Sequence, residues 1–325
     1  MPEITVIIPS YNHGRFLTQR IDSVLNQTFP EFEVIIIDDC STDDSAAIIE
    51  KYREHSKITS IIINPVNSKK PFQLWEQAIR MAKGNLVWVA ESDDFCDNQF
   101  LQTAVNAFRQ FPSIGIFYCD GMIYDDDKKT NYKRFSEIKN SLYKTDKWSS
   151  SYFEKGIIEL NSYLKYDCTI NNVSGMVFKK SVAESFSAEA ARFRYFGDWF
   201  YYINICFRAD VYYCSDALNT YRKHDASHLN SSTELIVQRK EYFQILNCLL
   251  NNKNTTGKKE LLIHFAYFYL HPGFFKHGLA STLKTFASYW RVNWKLAIRA
   301  ITMLFIVKIF RFHYRKVVKQ IEYTG

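Results

Sequence analysis

At 325 residues, 47% hydrophobic and 23% charged, the chain can bury a substantial core, which excludes a disordered polypeptide and leaves one large domain or two. Seven scattered cysteines (Cys40, Cys96, Cys119, Cys168, Cys206, Cys214, Cys248) form no CxxC pair and alternate with no histidines, which points to a reducing compartment and against a structural zinc cluster. The net charge of +7 is uneven: residues 271–325 hold ten Lys or Arg against the single acid Glu322, or +9, so residues 1–270 sum to −2.

Taken in chain order, residues 3–9 are a short apolar run ended by Pro-Ser-Tyr-Asn and predict a buried strand running into a loop. Residues 14–27 place Phe16, Leu17, Ile21, Val24 and Leu25 at helical spacing. A second strand at 32–37 ends in Asp38-Asp39, and Ser41-Thr42-Asp43-Asp44 then caps a helix expected to reach residue 55. A strand at 58–63, a helix at 72–82, a strand at 85–90, an amphipathic helix at 97–111 and a strand at 114–119 follow. Units of about 25 to 30 residues in this alternation are βαβ crossovers, so a mostly parallel sheet flanked by helices is expected. Residues 121–152 lose the pattern, and the stretch around Asp125-Asp126-Asp127 reads as a solvated excursion, a hairpin or a mobile loop. A helix at 155–165, a strand at 171–180, a helix at 200–209 opened by Phe196-Gly197-Asp198-Trp199, and a short strand at 211–214 follow, and residues 218–224 close this part. Residues 234–270 are helical by period, with a polar link at 251–259.

Two features carry chemistry. The apolar run at 86–90 ends in Glu91, Asp93 and Asp94, and ligands of open α/β sheets bind beyond strand ends of this kind. Two unit charges about 4 Å apart repel by roughly 4 kcal/mol at an effective dielectric near 20, a cost that a divalent cation reverses. The plainer alternative is an acidic turn before a helix capped by Asp97. No GxGxxG follows the first strand and no GxxxxGK[ST] occurs, so phosphates, if bound, need a metal. The second feature is the tail, where Phe274, Phe275, Phe286, Tyr289, Trp290, Trp294, Phe305, Phe310, Phe312 and Tyr314 alternate with its ten cations. That mixture suits a helix lying in an anionic membrane surface, and it also suits a helical subdomain that packs its aromatics inward. Nucleic acid is not expected as a partner, because no recognition motif accompanies the charge. The longest uninterrupted apolar run there, residues 300–307, is too short for a transmembrane helix, and MPEITVIIPS lacks the features of a secretory signal.

VIIPSYN at 6–12, IIIDDCSTDDS at 35–45 and VAESDDF at 89–95 together resemble the family 2 glycosyltransferases, inverting enzymes of the GT-A fold. GDWFYYINICFRA at 197–209 and YRKH at 221–224 are similar to the downstream part of the same pattern, so the likeness runs over about residues 3–225. The resemblance implies a glycosyltransferase domain at 1–225 and leaves 226–325 as a helical, basic and aromatic extension. It implies that Pro9 and Tyr11 line the nucleotide base and that Asp39 accepts a hydrogen bond from its ring, which favours a UDP-sugar. It makes Asp93 the ligand of Mg2+ or Mn2+, with Asp94 its companion and His224 and Arg222 near the diphosphate or metal. Glu91 stands where the family's Asp-x-Asp signature has its first Asp, one methylene longer than usual. Asp198 takes the position of the catalytic base; read without the resemblance, an Asp after a Gly at a helix start is equally an N-cap. The activity implied is transfer from a nucleotide sugar to a glycan or lipid-linked saccharide, at the cytoplasmic face of a membrane, in cell-surface polysaccharide synthesis. The alternative is a nucleotide-sugar-binding sensor or assembly protein that does not catalyse.

Overall fold

The computed structural model describes residues 1–224, 232–270 and 278–309. They fall into two compact units: residues 1–156 with 170–227, and residues 157–169 with 228–325.

In the first unit, the apolar runs form β1 (Ile4–Ser10), β2 (Phe32–Asp38), β3 (Ile58–Ile63) and β4 (Leu86–Val89), all mutually parallel. Every residue of β1, β2 and β4 is buried, as expected of strands covered on both faces. The crossovers are α1 (Gly14–Leu25), α2 (Ser45–Glu50) and α3 (Pro71–Met81), and α4 (Phe100–Gln110) follows a two-residue strand β5 (Phe95–Cys96). Helix α2 stops well before residue 55, since Lys51 to Glu54 close into turns. Gly84 admits β4 beside β1: a Cβ there would stand 2.5 Å from the Thr5 backbone nitrogen.

The remaining strands are β6 (Ile114–Asp125), β7 (Thr130–Arg134), β8 (Tyr152–Glu154), β9 (Met176–Lys179) and β10 (Asp210–Lys223). The sheet runs β3-β2-β1-β4-β9-β6-β10-β5, with β7 on β6 and β8 on β10. β9 is antiparallel to both β4 and β6, whereas β10 is parallel to β6. Of the readings open for residues 121–152, the hairpin is the one found: β6 and β7 pair within the sheet, and Asp125 and Asp126 are buried there rather than solvated. The short strand expected at 211–214 extends through 218–223 as one strand, bent by register shifts between Cys214 and Asn219. Helices α5 (Phe135–Tyr143), α7 (Lys180–Ala183), α8 (Ser187–Ala190) and α9 (Gly197–Cys206) stand between β7 and β10, while α6 (Gly156–Glu159) opens the segment 157–169 that belongs to the second unit.

The second unit is helical: α10 (Ser232–Asn251), α11 (Lys258–Phe265), α12 (Gly278–Val292) and α13 (Trp294–Ile309). Its core includes Phe243 stacked on Tyr289 with centroids 4.5 Å apart, beside Leu246, Leu249, Leu261, Leu296 and Leu304. Of the tail aromatics, Phe274, Phe275, Phe310, Phe312 and Tyr314 lie outside the described residues. Among the described residues, no helix is long and apolar enough to cross a membrane.

Candidate active site

The strand order turns about β1 and β4: β2 and β3 lie to one side of β1, and β4 to the other. Ligand crevices of open α/β sheets sit at such a switch point, beyond the carboxyl ends of the strands. Here the chain leaves β1 through Tyr11, Asn12 and His13, and leaves β4 through Glu91 to Asp94.

Asn12 adopts the left-handed region (φ 54°), which short amide side chains tolerate better than most. Its Oδ1 accepts the Thr42 N–H at 2.7 Å, and its own N–H donates to Ser41 Oγ at 2.8 Å, so the loops after β1 and β2 are tied together. This turn delivers His13 to the start of α1, where its Nδ1 meets Ser92 Oγ at 2.8 Å. Ser92 is buried between Glu91 and Asp93, so the imidazole is pinned to the acidic turn. From β10, His224 brings Nε2 within 3.1 Å of Asp93 Oδ2. Its Nδ1 is buried without a hydrogen-bonding partner among the described residues. The two imidazoles meet edge to face with centroids 5.6 Å apart. His13, Asp93 and His224 thereby present one ligand atom each, all within 4.8 Å of one another. A carboxylate, imidazoles and an unsatisfied buried nitrogen fit a divalent cation.

The acids differ in charge. Burial, reinforced by the charges of Asp93 and Asp94, pushes the Glu91 carboxyl up to about 8. Burial followed by Asp93 raises Asp94 to about 6. Burial also opposes ionisation of Asp93, yet the hydrogen bond from His224 and the nearby His13 hold its pKa below the ordinary carboxylate value. Burial keeps His13 below its usual pKa against the pull of Asp93, so it is disposed to stay neutral. Near neutral pH Glu91 thus keeps its proton while Asp93 and Asp94 carry the charge of the turn, and Asp93 is the residue for which the resemblance implied metal ligation.

Two side chains brace the turn. Arg20, fully buried, donates from Nε to the Glu91 carbonyl at 2.8 Å and places Nη2 3.9 Å from Asp94 Oδ2. Arg222 donates its backbone N–H to Asp94 Oδ1 at 2.9 Å and its Nε to the Asp93 carbonyl at 2.8 Å. Its Nη1 pairs with Asp126 at 2.6 Å and its Nη2 with Gln19 Oε1 at 2.5 Å. Arg222 is therefore largely engaged with protein groups, as a clamp on the turn, rather than held open for a diphosphate. The buried Asp126, which the sequence left in solvent, is its counter-ion.

The other expected residues stand on neighbouring elements. Pro9 is buried within β1, and Tyr11 is 45% exposed just beyond it. Asp39 follows β2, its backbone N–H bonded to the Ser10 carbonyl at 2.8 Å. One of its oxygens accepts from Asn64 Nδ2 at 2.9 Å, and the other from the Ser68 N–H and hydroxyl at 3.0 and 2.8 Å. Three of about four lone-pair sites are used, which leaves one for a further donor. Asp198 lies in the first turn of α9, where its Oδ1 accepts the Trp199 N–H at 2.7 Å.

His13 and Arg20 are the members of the cluster that sequence reasoning missed. Arg20 had a signal, since it falls on the apolar stripe of α1 between Leu17 and Ile21, where a cation has no reason to be unless something inside needs it. His13 had none beyond its place after Asn12, because its partner Ser92 is 79 residues away.

A family model described as "Glycosyl transferase family 2" matches residues 5–185. Over 108 residues the chain is 36% identical to the poly(ribitol-phosphate) beta-N-acetylglucosaminyltransferase TarS of Staphylococcus aureus, a stretch covering 32% of this chain and 18% of that protein. It is 30% identical over 119 residues to a chondroitin synthase of Escherichia coli, covering 36% of this chain and 17% of that one. The chain therefore spans less than a fifth of the length of these two relatives. Among solved structures, residues 1–349 of S. aureus TarS in complex with UDP-GlcNAc superimpose with a TM-score of 0.65 at 20% identity, covering 89% of this chain and 79% of that one. A mannosyltransferase from Pyrobaculum calidifontis, PcManGT, in complex with GDP-Man and Mn2+, gives 0.57 at 15% identity, with coverage of 95% and 88%. These likenesses are of fold, and they agree with the GT-A architecture of a central sheet flanked by helices.

Proposed function

Because the chain belongs to glycosyl transferase family 2, we propose that it transfers a sugar from a nucleotide-sugar donor, a UDP-sugar, to a glycan or lipid-linked saccharide in cell-surface polysaccharide synthesis, with inversion at the anomeric carbon. The observation that carries this reading is the convergence of Asp93 and His224 at the switch point of the sheet, 3.1 Å apart, with the Asp39 carboxylate at the end of the adjacent strand β2. Two solved TarS complexes hold uridine nucleotides, UDP-GlcNAc in one and UDP in the other, which supports uracil as the base.

Tyr11, exposed beyond β1, offers a ring face to the base, and Pro9 shapes the floor. Asp39, with one lone pair in reserve, accepts the imide N–H of uracil. Asp93 and His224 hold Mg2+ or Mn2+, and the ion when bound neutralises charge that builds on the departing diphosphate. Asp198 receives the proton of the acceptor hydroxyl as that oxygen attacks the anomeric carbon. Glu91 and Asp94 surround Asp93 and hold fewer charges than their number suggests, so a trianionic leaving group is not repelled by three carboxylates. For the chain as a whole we assign the basic, aromatic helices of the second unit to the surface of an anionic membrane, on its cytoplasmic face. The described part of α12 and α13 exposes Leu283, Trp290, Trp294, Ile298 and Phe305 next to Lys284, Arg291, Lys295 and Arg299.

A panel of nucleotide sugars screened for metal-dependent thermal stabilisation identifies the donor, since a ligand at 100 times its Kd adds about 2.7 kcal/mol. With that donor, Asp198→Ala is expected to lose about 10²- to 10⁴-fold in kcat while still binding UDP. Asp93→Ala is expected to lose metal-dependent stabilisation by UDP. Full transfer by both variants would overturn the mechanism.

A further inference from the structure

The reading above gives the ion to Asp93 and His224 and assigns no role to His13, which stands beside them. A ligating imidazole is normally oriented by a hydrogen bond on its other nitrogen. Ser92 Oγ, itself buried, occupies Nδ1 of His13 at 2.8 Å, and among the described residues no hydrogen bond takes Nε2. Two ligands on one ion at about 2.1 Å stand at most about 4.2 Å apart. The three ligand atoms of His13, Asp93 and His224 lie within 4.8 Å of one another, so closing on an ion needs less than an ångström of side-chain movement. The second, independent observation is His224 itself: it is 4% exposed, and its buried Nδ1 finds no hydrogen-bonding partner among the described residues.

We propose that His13 is a third protein ligand of the ion held by Asp93 and His224, and that the resulting two-imidazole, one-carboxylate set selects Mn2+ over Mg2+. The inference rests on the proposed metal site and adds a residue and a selectivity to it. Mg2+ takes hard oxygen donors in a near-ideal octahedron and keeps its waters, whereas imidazole suits transition-type divalent cations. A site with Asp93 alone would leave the choice to cellular supply. With two imidazoles, affinity rises in the order Mg2+, Mn2+, Co2+, following the general ranking of divalent ions on nitrogen ligands. Asn12, held in its left-handed turn by Ser41 and Thr42, fixes where the next residue, His13, leaves the loop.

The test measures metal binding by the full-length protein without donor or acceptor, titrating Mn2+ by electron paramagnetic resonance and Mg2+ in competition. Wild type is expected to prefer Mn2+ and to show nitrogen couplings from two imidazoles. His13→Ala and His13→Asn should each weaken Mn2+ about tenfold or more, leave Mg2+ nearly unchanged, and reduce the coupling to one imidazole, with thermal unfolding confirming that both variants fold. Unchanged Mn2+ affinity and couplings in both, while Asp93→Ala loses the ion, would overturn the role of His13 and leave the metal site standing. Retention of the ion by Asp93→Ala would overturn the site itself.

Discussion

Arg20 decides how three carboxylates coexist in one turn. Fully buried, it has one hydrogen bond, to the Glu91 carbonyl, and its Nη atoms find no hydrogen-bonding partner among the described residues. Its remaining contact is charge, 3.9 Å from Asp94 and over the Trp88 ring at 5.7 Å. Removing one partner of a buried ion pair typically costs about 3 to 5 kcal/mol. Arg20→Met should therefore destabilise the protein by about 3 kcal/mol at pH 8, read from urea unfolding. At pH 5 Asp94, with its pKa near 6, holds its own proton, and the loss should shrink. Equal losses at both pH values would mean that Arg20 acts through packing alone. A second residue of this kind is His264 in the helical unit, whose Nε2 lies 3.0 Å from the Tyr166 carbonyl. Burial lowers its pKa from 6.5 to about 4. Between these values the unfolded chain binds the extra proton, so stability is full above about pH 6.5 and falls as pH drops toward 4. The shift corresponds to at most about 3 kcal/mol. His264→Phe should flatten this slope, and an unchanged slope would place the acid sensitivity elsewhere.

Elements differ in how far they can be read from sequence, and the difference follows what holds them. The strands β1 to β4 are apolar runs buried on both faces, so composition and length alone mark them. The polar end of β6 is held instead by one side chain, Asp120, which is 1% exposed. Its Oδ1 accepts the Ser136 and Gly121 N–H groups at 3.0 and 2.9 Å; its Oδ2 accepts the Ser136 hydroxyl at 2.6 Å and faces Arg134 Nε at 2.9 Å. Asp120 thus serves as a remote cap for α5, a bond that no local pattern announces, and without it the sequence left this stretch open between a hairpin and a loop. The site divides along the same line. Asp93 and His224 were legible because they sit inside motifs, whereas His13 depends on Ser92 and Arg222 on Asp126, pairings that only the folded chain makes. Asp120→Ala leaves several buried donors without an acceptor and should cost about 3 kcal/mol or more, by the same reckoning as for a broken buried pair. Arg134→Ala, at the solvent-facing end of that pair, should cost less. Chemical denaturation of the two variants checks the order, and a larger loss from Arg134→Ala would remove Asp120 from this role.

For the whole molecule the informative quantity is the separation of charge, −2 over residues 1–270 against +9 over the rest. Cutting the chain at residue 271 would be a poor test of membrane attachment. It removes α12 and α13, and with them Tyr289 from the face of Phe243 and the Asn293 amide that donates to Asn247 Oδ1 at 2.7 Å. Lost binding would then report a broken core. Lys284, Arg291, Lys295 and Arg299 are all exposed, and reversing their charge leaves that core intact. Each basic side chain near an anionic surface contributes about 1 kcal/mol, so replacing the four with Glu should weaken binding to phosphatidylserine-containing vesicles by about 10³-fold or more. Binding of the wild type should also fall as salt rises, because the attraction is screened within a Debye length of about 8 to 10 Å. Replacing Trp290 and Trp294 with Ser should weaken binding in a manner insensitive to salt, since their contribution is apolar contact. If the fourfold charge reversal binds vesicles as the wild type does, the surface that meets the membrane is not the one formed by α12 and α13.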